Sequence, residues 1–244
     1  MPLIGFNCPG EPWSQVTIKD CEACDHKCLP IEILRLIWKW GMPEDGHYHS
    51  NPMVISVTEA IGCLRKAFYN KTLDYTEEAE ALLPRVRGSI FHKAIEDCQP
   101  DDMSEVGLGC DLTNGYTLMG SVDRLSDRIK DWKTCARPKK TYHDNEAMQL
   151  NVYEQMYRRH GGMVKEIVQV GLEKGTSGSR VAVHQVHEIE DALDKIKGRA
   201  NKLVAALVAG DVEMLDKEGL GIKFYRCCAC DFCPHKDVCG PEVE

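Results

Sequence analysis

The spacing of apolar residues changes from a helical to a strand-like period near residue 116, and this change restricts the chain to folds that combine helices with a sheet. Apolar residues three or four positions apart predict helices, whereas alternation predicts half-buried strands. The predicted helices span 31–40, 56–69, 76–83, 88–98, 146–159 and 191–209, and the predicted strands span 116–125, 129–134, 166–172 and 180–189. A helical first part, a central sheet, a helix between its strands and a late helix indicate an α/β or α+β fold.

Thirteen cysteines are present, and most of them lie in two groups at the ends of the chain. Disulfides are disfavoured in a reducing cytosol, so tight cysteine clusters there predict ligands of a metal ion or metal cluster. The first group is Cys8, Cys21, Cys24 and Cys28, and the second is Cys227, Cys228, Cys230, Cys233 and Cys239.

The N-terminus lacks a basic stretch followed by a continuous apolar run, and no segment approaches the roughly 20 apolar residues of a membrane span. We therefore expect a soluble, cytoplasmic protein that does not enter a membrane. The formal net charge of −8 argues against a surface coated with positive charge. It leaves room for a local basic groove, because nucleic-acid binding follows the distribution of charge. The candidate cationic contacts are Arg65, Lys66, Arg85, Arg87, Lys139, Lys140, Lys195, Lys197, Arg199 and Lys202.

Asp131 and Lys133 lie two positions apart on a predicted strand, so their side chains share one face. Asp123 lies on the preceding predicted strand. A two-residue turn at 126–127 would place Asp123 and Asp131 on opposite faces, whereas a three-residue turn at 126–128 would place them across from each other. A shared site therefore requires an odd-length loop or a bulge.

Two carboxylates on one surface are suited to a hard divalent cation such as Mg²⁺ or Mn²⁺. Such an ion activates water and offsets charge on a phosphate, and Lys133 would orient the attacking water or stabilise the pentavalent phosphorus. The alternative is an ordinary Asp–Lys pair on a solvated strand, because this spacing is common. His92, on a predicted helix, is a third candidate ligand, and Gln149 and Tyr153 project from one face of a later helix.

Four short motifs follow one another over the middle of the chain: Gly88 to His92, Gly120-Ser-Val-Asp123, Asp131-Trp-Lys133 and Gln149 to Tyr153. Their order closely resembles the RecB-like branch of the PD-(D/E)XK nucleases. The resemblance implies a restriction-endonuclease-like core with a central mixed sheet flanked by helices. It also implies that His92, Asp123 and Asp131 bind Mg²⁺ or Mn²⁺, that Asp123, Asp131 and Lys133 are catalytic, and that Gln149 and Tyr153 contact the substrate. Val122 departs from the family name, which has proline there.

The late cysteines add a second resemblance, to the iron–sulfur branch represented by AddB-type subunits and by the CRISPR-associated exonuclease of spacer acquisition. In that branch one early and three late cysteines bind a 4Fe–4S cluster, which here implies Cys63, Cys230, Cys233 and Cys239. Four thiolates suit zinc equally well, so the residues alone leave the metal open. Cys227-x2-Cys230 is also a ligand spacing, so Cys227 could replace one of these ligands.

The resemblance does not cover the N-terminal cysteines. Cys8, Cys21, Cys24 and Cys28 predict a structural zinc site, with His26 as a substitute ligand. Partial metal binding or a redox-sensitive arm remains the alternative. We therefore divide the chain into a Cys-rich N-terminal lobe at 1–30 and a nuclease domain at 31–244.

The expected function is that of a metal-dependent DNA exonuclease acting on single-stranded ends or overhangs, in CRISPR adaptation or in phage or host recombination and repair. A protein partner in one of these pathways is part of this expectation. Two alternatives are a non-catalytic DNA-binding or adaptor subunit that keeps the fold and cluster, and a zinc-rich regulator in which the Asp–x–Lys spacing is accidental. The intact set of Asp123, Asp131 and Lys133 argues against the first, and the ordered motifs argue against the second.

Overall fold

A six-stranded mixed sheet with helices packed against it forms the centre of the computed structural model, as the sequence predicted. A smaller three-stranded sheet lies in the N-terminal part. The structure describes residues 3–8, 15–25, 29–41, 51–98, 103–135, 143–175, 178–215 and 233–239. The strands are β1 (Leu3–Asn7), β2 (Gln15–Val16), β3 (Val54–Ser56), β4 (Tyr75–Glu78), β5 (Ser104–Asp111), β6 (Thr117–Leu125), β7 (Arg128–Cys135), β8 (Glu166–Gly175) and β9 (Gly178–Gln185). The helices are α1 (Ile18–Ala23), α2 (Ile31–Gly41), α3 (Val57–Ile61), α4 (Leu64–Thr72), α5 (Leu83–Asp97), α6 (Asp144–Arg159), α7 (Ala192–Ala209) and α8 (Lys236–Cys239).

The order of strands in the large sheet is β3-β6-β7-β8-β9, and β5 also pairs with β6. β3–β6 and β7–β8 are parallel pairs, whereas β5–β6, β6–β7 and β8–β9 are antiparallel. β6 is paired with β5 over most of its length but with β7 only at Arg124 and Leu125. β6 and β7 therefore separate beyond that point, and the separation creates space for side chains between them.

The main hydrophobic core joins the large sheet to α3, α4, α6 and α7. α7 contributes its apolar face at helical spacing, and β6 contributes alternate residues, as the two periods require. Among the fully buried side chains are Leu118, Ile129, Met148, Leu150, Ile196 and Leu203. Within the described residues, no helix has the length and apolar character needed to cross a membrane.

A second, smaller core connects the N-terminal segment to the start of α5. It consists of Phe6, Leu34, Ile37, Leu82 and Val86. α2 therefore packs together with β1, although the sequence analysis assigned residue 31 onward to the nuclease domain. The division at residue 30 stays a prediction.

The predicted helix over 76–83 is wrong. Tyr75–Glu78 is a strand that pairs in parallel with β1, and Ala79–Leu82 is a short 3-10 helix. A pairing partner some seventy residues away outweighs local helical spacing here. Pro84, expected to end that helix, instead lies in the first turn of α5, where its missing N–H costs nothing.

The single helix predicted over 56–69 is two helices, α3 and α4. Gly62 ends α3, and Cys63 caps the N-terminus of α4 through its thiol. Ser56 caps α3 in a reciprocal arrangement with Glu59, which explains why helix formation starts at residue 57. Strands β1, β2, β3 and β5 were not predicted.

Candidate active site

The turn between β6 and β7 has three residues. The pairs Arg124–Lys130 and Leu125–Ile129 leave Ser126, Asp127 and Arg128 as the connection, although Arg128 already pairs with β8 as the first residue of β7. The N–H of Ser126 donates to the carbonyl of Arg128 at 3.0 Å, closing the turn. This confirms the odd-length connection that a shared Asp123–Asp131 site requires, because the same register places positions 123 and 131 opposite each other.

Asp123 and His92 fill the gap where β6 and β7 separate. On the β6 side of β7, the backbone N–H of Trp132 donates to Asp123 Oδ2 at 2.6 Å. The carbonyl of Trp132 accepts from His92 Nε2, on α5, at 2.9 Å. Both backbone groups of Trp132 are thus satisfied by candidate site residues, which fixes the positions of those side chains relative to β7.

His92, Asp123 and Glu105 form a group of three ligand atoms, all within 4.8 Å of one another. His92 Nδ1 is 3.4 Å from Asp123 Oδ1 and 3.7 Å from Glu105 Oε1. Among the described residues, these three side chains lie close enough together to share a metal ion. The sequence analysis missed Glu105, which lies in the unpredicted strand β5.

The carboxylates around His92 favour its protonated form in the metal-free protein. Hydrogen bonding to Asp123 has the largest effect and hydrogen bonding to Glu105 the next largest, and together they raise the pKa of His92 to about 10, although burial acts in the opposite direction. A site that stabilises a positive charge on the imidazole is also one that attracts a cation.

Asp131 lies beside this group and is held by two other side chains. Its Oδ1 accepts from Lys133 Nζ at 2.8 Å, and its Oδ2 accepts from Gln169 Nε2 at 3.4 Å. Asp131 is 4% exposed, and burial raises the pKa of its carboxyl, while the Lys133 ammonium opposes that rise. Burial disfavours the charge of Lys133, but the charge and hydrogen bond of Asp131, together with the charges of Asp123 and Glu146, outweigh it and raise the pKa of Lys133.

The predicted ligand set of His92, Asp123 and Asp131 is therefore brought together in part. His92 and Asp123 meet, and Glu105 rather than Asp131 completes the group of close ligand atoms. The negative charge of Asp123 contributes to the raised pKa of Asp131, so the two carboxyls are close enough to interact.

Comparison with known proteins shows the superfamily to which the chain belongs. A sequence profile of the PD-(D/E)XK nuclease superfamily matches residues 97–240, more than half of the chain. The chain belongs to the PD-(D/E)XK nuclease superfamily. Its fold resembles the crystal structure of SSO0001, with a TM-score of 0.56 and 15% identity, covering 88% of this chain and 98% of that chain. A Eubacterium rectale protein named "Putative exonuclease" aligns with a TM-score of 0.45 and 13% identity, covering 77% of this chain and 92% of that chain. No curated protein sequence matches significantly.

In this PD-(D/E)XK nuclease fold, Tyr153 packs directly on Gly120. A Cβ at Gly120 would lie 2.2 Å from Cε1 of Tyr153, so the glycine of the second motif makes room for the tyrosine of the fourth. Tyr153 is 4% exposed, and its hydroxyl accepts from Gln149 Nε2 at 2.8 Å. Tyr153 thereby orients Gln149, and the contact of either residue with a substrate stays a prediction.

Two of the predicted cationic contacts, Arg65 and Arg199, have partners within the protein. Arg65 is buried, donates to the carbonyl of Leu215 and forms an ion pair with Glu213. Arg199 donates to the carbonyls of Ala60 and Gly62, which lie at the end of α3. Both guanidinium groups are held by these contacts within the protein, and their contact with DNA stays a prediction. Lys139 and Lys140 lie outside the described residues.

The C-terminal segment packs against α4, the helix that Cys63 caps. Tyr69 donates to the carbonyl of Val238 at 3.2 Å, and the ring Nε2 of His235 lies 2.7 Å from Asn70 Oδ1. Cys63 Sγ accepts from the N–H of Lys66 at 3.4 Å. Among the predicted cluster ligands, Cys63, Cys233 and Cys239 are described, whereas Cys230 lies outside the described residues, as do Cys227 and Cys228.

The N-terminal cysteines are described in part. Cys8, Cys21 and Cys24 are half-buried, and they do not form a close group of three ligand atoms in the part of the chain that the structure describes. Cys28 and His26 lie outside that part. The zinc site therefore stays a prediction.

Proposed function

We propose that the protein is a metal-dependent deoxyribonuclease of the RecB-like type that removes nucleotides from single-stranded DNA ends or overhangs. The observation that carries this proposal is the meeting of His92 and Asp123 in the gap between β6 and β7, beside the Asp131–Lys133 pair. The superfamily is one of nucleases that use divalent metal ions, and the resemblance to the RecB-like motif series supports the finer assignment.

The donor set fits a divalent cation of the Mg²⁺ or Mn²⁺ type. Carboxylate oxygens suit both ions, and an imidazole nitrogen favours Mn²⁺ over Mg²⁺. His92, Asp123 and Asp131 would hold the ion in this proposal. When bound, it would supply Lewis acidity and offset negative charge on the phosphate.

Lys133 supplies the positive charge that the protein itself brings to the reaction. Its Nζ is fixed by Asp131, and its side chain is 29% exposed, so the ammonium can reach a phosphate that enters from solvent. We assign it to orient the attacking water or to stabilise the developing charge on a phosphoryl oxygen. Gln149, held by Tyr153, would contact the DNA strand.

A 4Fe–4S cluster bound by Cys63, Cys230, Cys233 and Cys239 is part of the proposal. The packing of residues 233–239 against α4 supports it, because the early and the late cysteines then belong to neighbouring segments. The thiol of Cys63 lies at the N-terminus of α4 and accepts a hydrogen bond from the Lys66 N–H. The cluster would fasten the end of the chain to the nuclease core.

The N-terminal lobe is proposed to bind zinc through Cys8, Cys21, Cys24 and Cys28, and to serve partner docking, DNA guidance or stability. We propose a cytoplasmic role in CRISPR spacer processing or in phage or host recombination and repair, since the resemblance covers both.

A nuclease assay on anaerobically purified protein tests the proposal. We expect brown protein that degrades labelled single-stranded DNA with Mn²⁺ or Mg²⁺, and loss of activity in Asp131→Ala and Lys133→Ala. Asp127→Ala, in the exposed turn between the same strands, is the matched control and should retain activity. Wild-type protein that is inert with every divalent metal would reject the nuclease and favour the adaptor subunit. Colourless protein containing only zinc would reject the iron–sulfur cluster alone.

A further inference from the structure

Glu105 lies directly opposite Asp123 on the neighbouring strand. The β5–β6 pairs Ser104–Arg124 and Val106–Val122 flank the two residues on either side. Opposed positions in an antiparallel pair have their side chains on the same face. The carboxylates of Glu105 and Asp123 both approach Nδ1 of His92 on α5.

The Glu105 carboxylate is held in place and remains open to solvent. Its Oε2 accepts from Ser121 Oγ at 2.7 Å, and its Oε1 lies 3.7 Å from His92 Nδ1. The side chain is 40% exposed. Ser121 thus orients one oxygen, and the other oxygen faces the ligand atoms of His92 and Asp123.

The hydrogen bond between His92 Nε2 and the Trp132 carbonyl determines which ring nitrogen of neutral His92 can bind a metal ion. The Trp132 carbonyl can only accept, so the nitrogen that bonds to it, Nε2, carries a proton. In neutral His92 the unprotonated nitrogen is then Nδ1, the one near Asp123 and Glu105. A backbone carbonyl that fixes the tautomer of a histidine in this way is a common support for metal binding.

We propose that Glu105 binds the divalent cation together with His92 and Asp123, as a ligand that the four sequence motifs do not contain. The inference deepens the proposed function and rests on it for the presence of a divalent cation at this site. Asp131 is then free to hold Lys133 as well as to approach the ion. The ligands come from three elements, α5, β5 and β6, so the cation would tie the helix to both strands.

Binding of Mn²⁺ to the metal-free protein tests this assignment without any reference to activity. Electron paramagnetic resonance counts free Mn²⁺, and calorimetry gives the dissociation constant. We expect Glu105→Gln to weaken Mn²⁺ binding about tenfold or more, in the range of losses at metal sites. Glu96→Gln changes an exposed carboxylate on α5 that pairs with Lys93, and should bind Mn²⁺ within about twofold of wild type.

A second variant separates the ligand role from folding. Glu105 has φ 51°, in the left-handed region that glycine adopts readily. Glu105→Gly keeps that backbone conformation and removes the carboxylate, so it should weaken Mn²⁺ binding as Glu105→Gln does, while the metal-free protein still unfolds in one cooperative thermal transition. Wild-type affinity in both variants, with binding lost in Asp123→Asn, would overturn the assignment of Glu105.

The outcomes for Glu105 and for the nuclease are distinct. An active nuclease whose Glu105→Gln variant binds Mn²⁺ normally rejects only the ligand role of Glu105. A wild-type protein that binds Mn²⁺ in a Glu105-dependent way but cleaves no DNA rejects only the nuclease. A wild-type protein that binds no Mn²⁺ rejects both.

Discussion

Asp123 Oδ2 accepts a hydrogen bond from the backbone N–H of Trp132 at 2.6 Å. The carboxylate therefore has two roles. One oxygen accepts the hydrogen bond of the Trp132 N–H in place of a carbonyl of β6, and the other faces His92. A substitution at this position can remove the charge, the acceptor, or both, and these effects can be separated.

Asp123→Asn should retain the fold and lose activity. The amide oxygen can still accept from Trp132, but the negative charge beside His92 is gone, and we expect activity to fall about 100-fold or more. Asp123→Ala removes the acceptor too, which should cost about 1–3 kcal/mol of additional stability. Thermal and chemical denaturation of both variants measure this difference. Equal stability of the two would show that the Trp132 N–H does not depend on Asp123.

Gly120→Ala should displace Tyr153 and, with it, Gln149. The new Cβ would lie 2.2 Å from the tyrosine ring, and relief of that overlap should cost roughly 1–3 kcal/mol of stability. Activity should also fall if Gln149 contacts the DNA strand. Gly107→Ala is the matched control in β5, because nothing lies within 4 Å of its new Cβ. Denaturation midpoints that shift equally for both variants would contradict the packing of Tyr153 on Gly120.

Binding of Mn²⁺ should release protons. With the pKa of His92 at about 10, the ring carries both protons at neutral pH, and a cation that takes one ring nitrogen must displace a proton. We expect about one proton released per Mn²⁺ at pH 7, and an affinity that rises about tenfold per pH unit below the pKa. Calorimetry in buffers of different ionisation enthalpy measures the proton count. In His92→Gln the release should disappear; an unchanged count would place the proton elsewhere.

Protonation of His235 should destabilise the protein in mild acid. Burial lowers the pKa of His235 to about 4, and the charge of Lys66 adds to this effect. The unfolded chain, with an ordinary histidine pKa near 6.5, therefore binds a proton between about pH 6.5 and 4 that the folded chain does not. Stability from this group is complete above pH 6.5 and is lost as the pH falls toward 4, by roughly 1–3 kcal/mol.

Denaturation of wild type and His235→Asn at pH 7 and pH 5 tests this effect. Asparagine can still donate to Asn70 but does not titrate, so the variant should lose less stability between the two pH values. A wild-type loss no larger than that of the variant would mean that His235 titrates normally.

The local chemistry of the site was predictable from the sequence, because it depends on residues close to one another along two strands. The positions of Asp123, Asp131 and Lys133 required only strand alternation and a three-residue turn, and both were correct. His92 was placed near them by the resemblance, and the structure brings it to Asp123.

Glu105 could not be predicted in the same way. Its strand, β5, has glycines at 107 and 109 and poor alternation of apolar residues, so its extended form comes from pairing with β6. The same cause explains the wrong helix at 76–83, where pairing with β1 decides the structure. The structural contacts of Arg65 and Arg199 also could not be predicted, because their partners are carbonyls and carboxylates that lie far away in the sequence.

The small hydrophobic core around Phe6 has a consequence for how shortened forms of this protein would behave. Leu82, just before α5, and Val86, near its start, are buried against Phe6, Leu34 and Ile37. His92 projects from α5 less than two turns after Val86. Packing by the first forty residues thus supports the position of the His92 imidazole, in addition to any ligand that they bind. Deleting them would expose Leu82 and Val86 to water and weaken the support of α5. Loss of activity in such a truncated protein would therefore be explained by displacement of His92, without any separate function of the deleted residues.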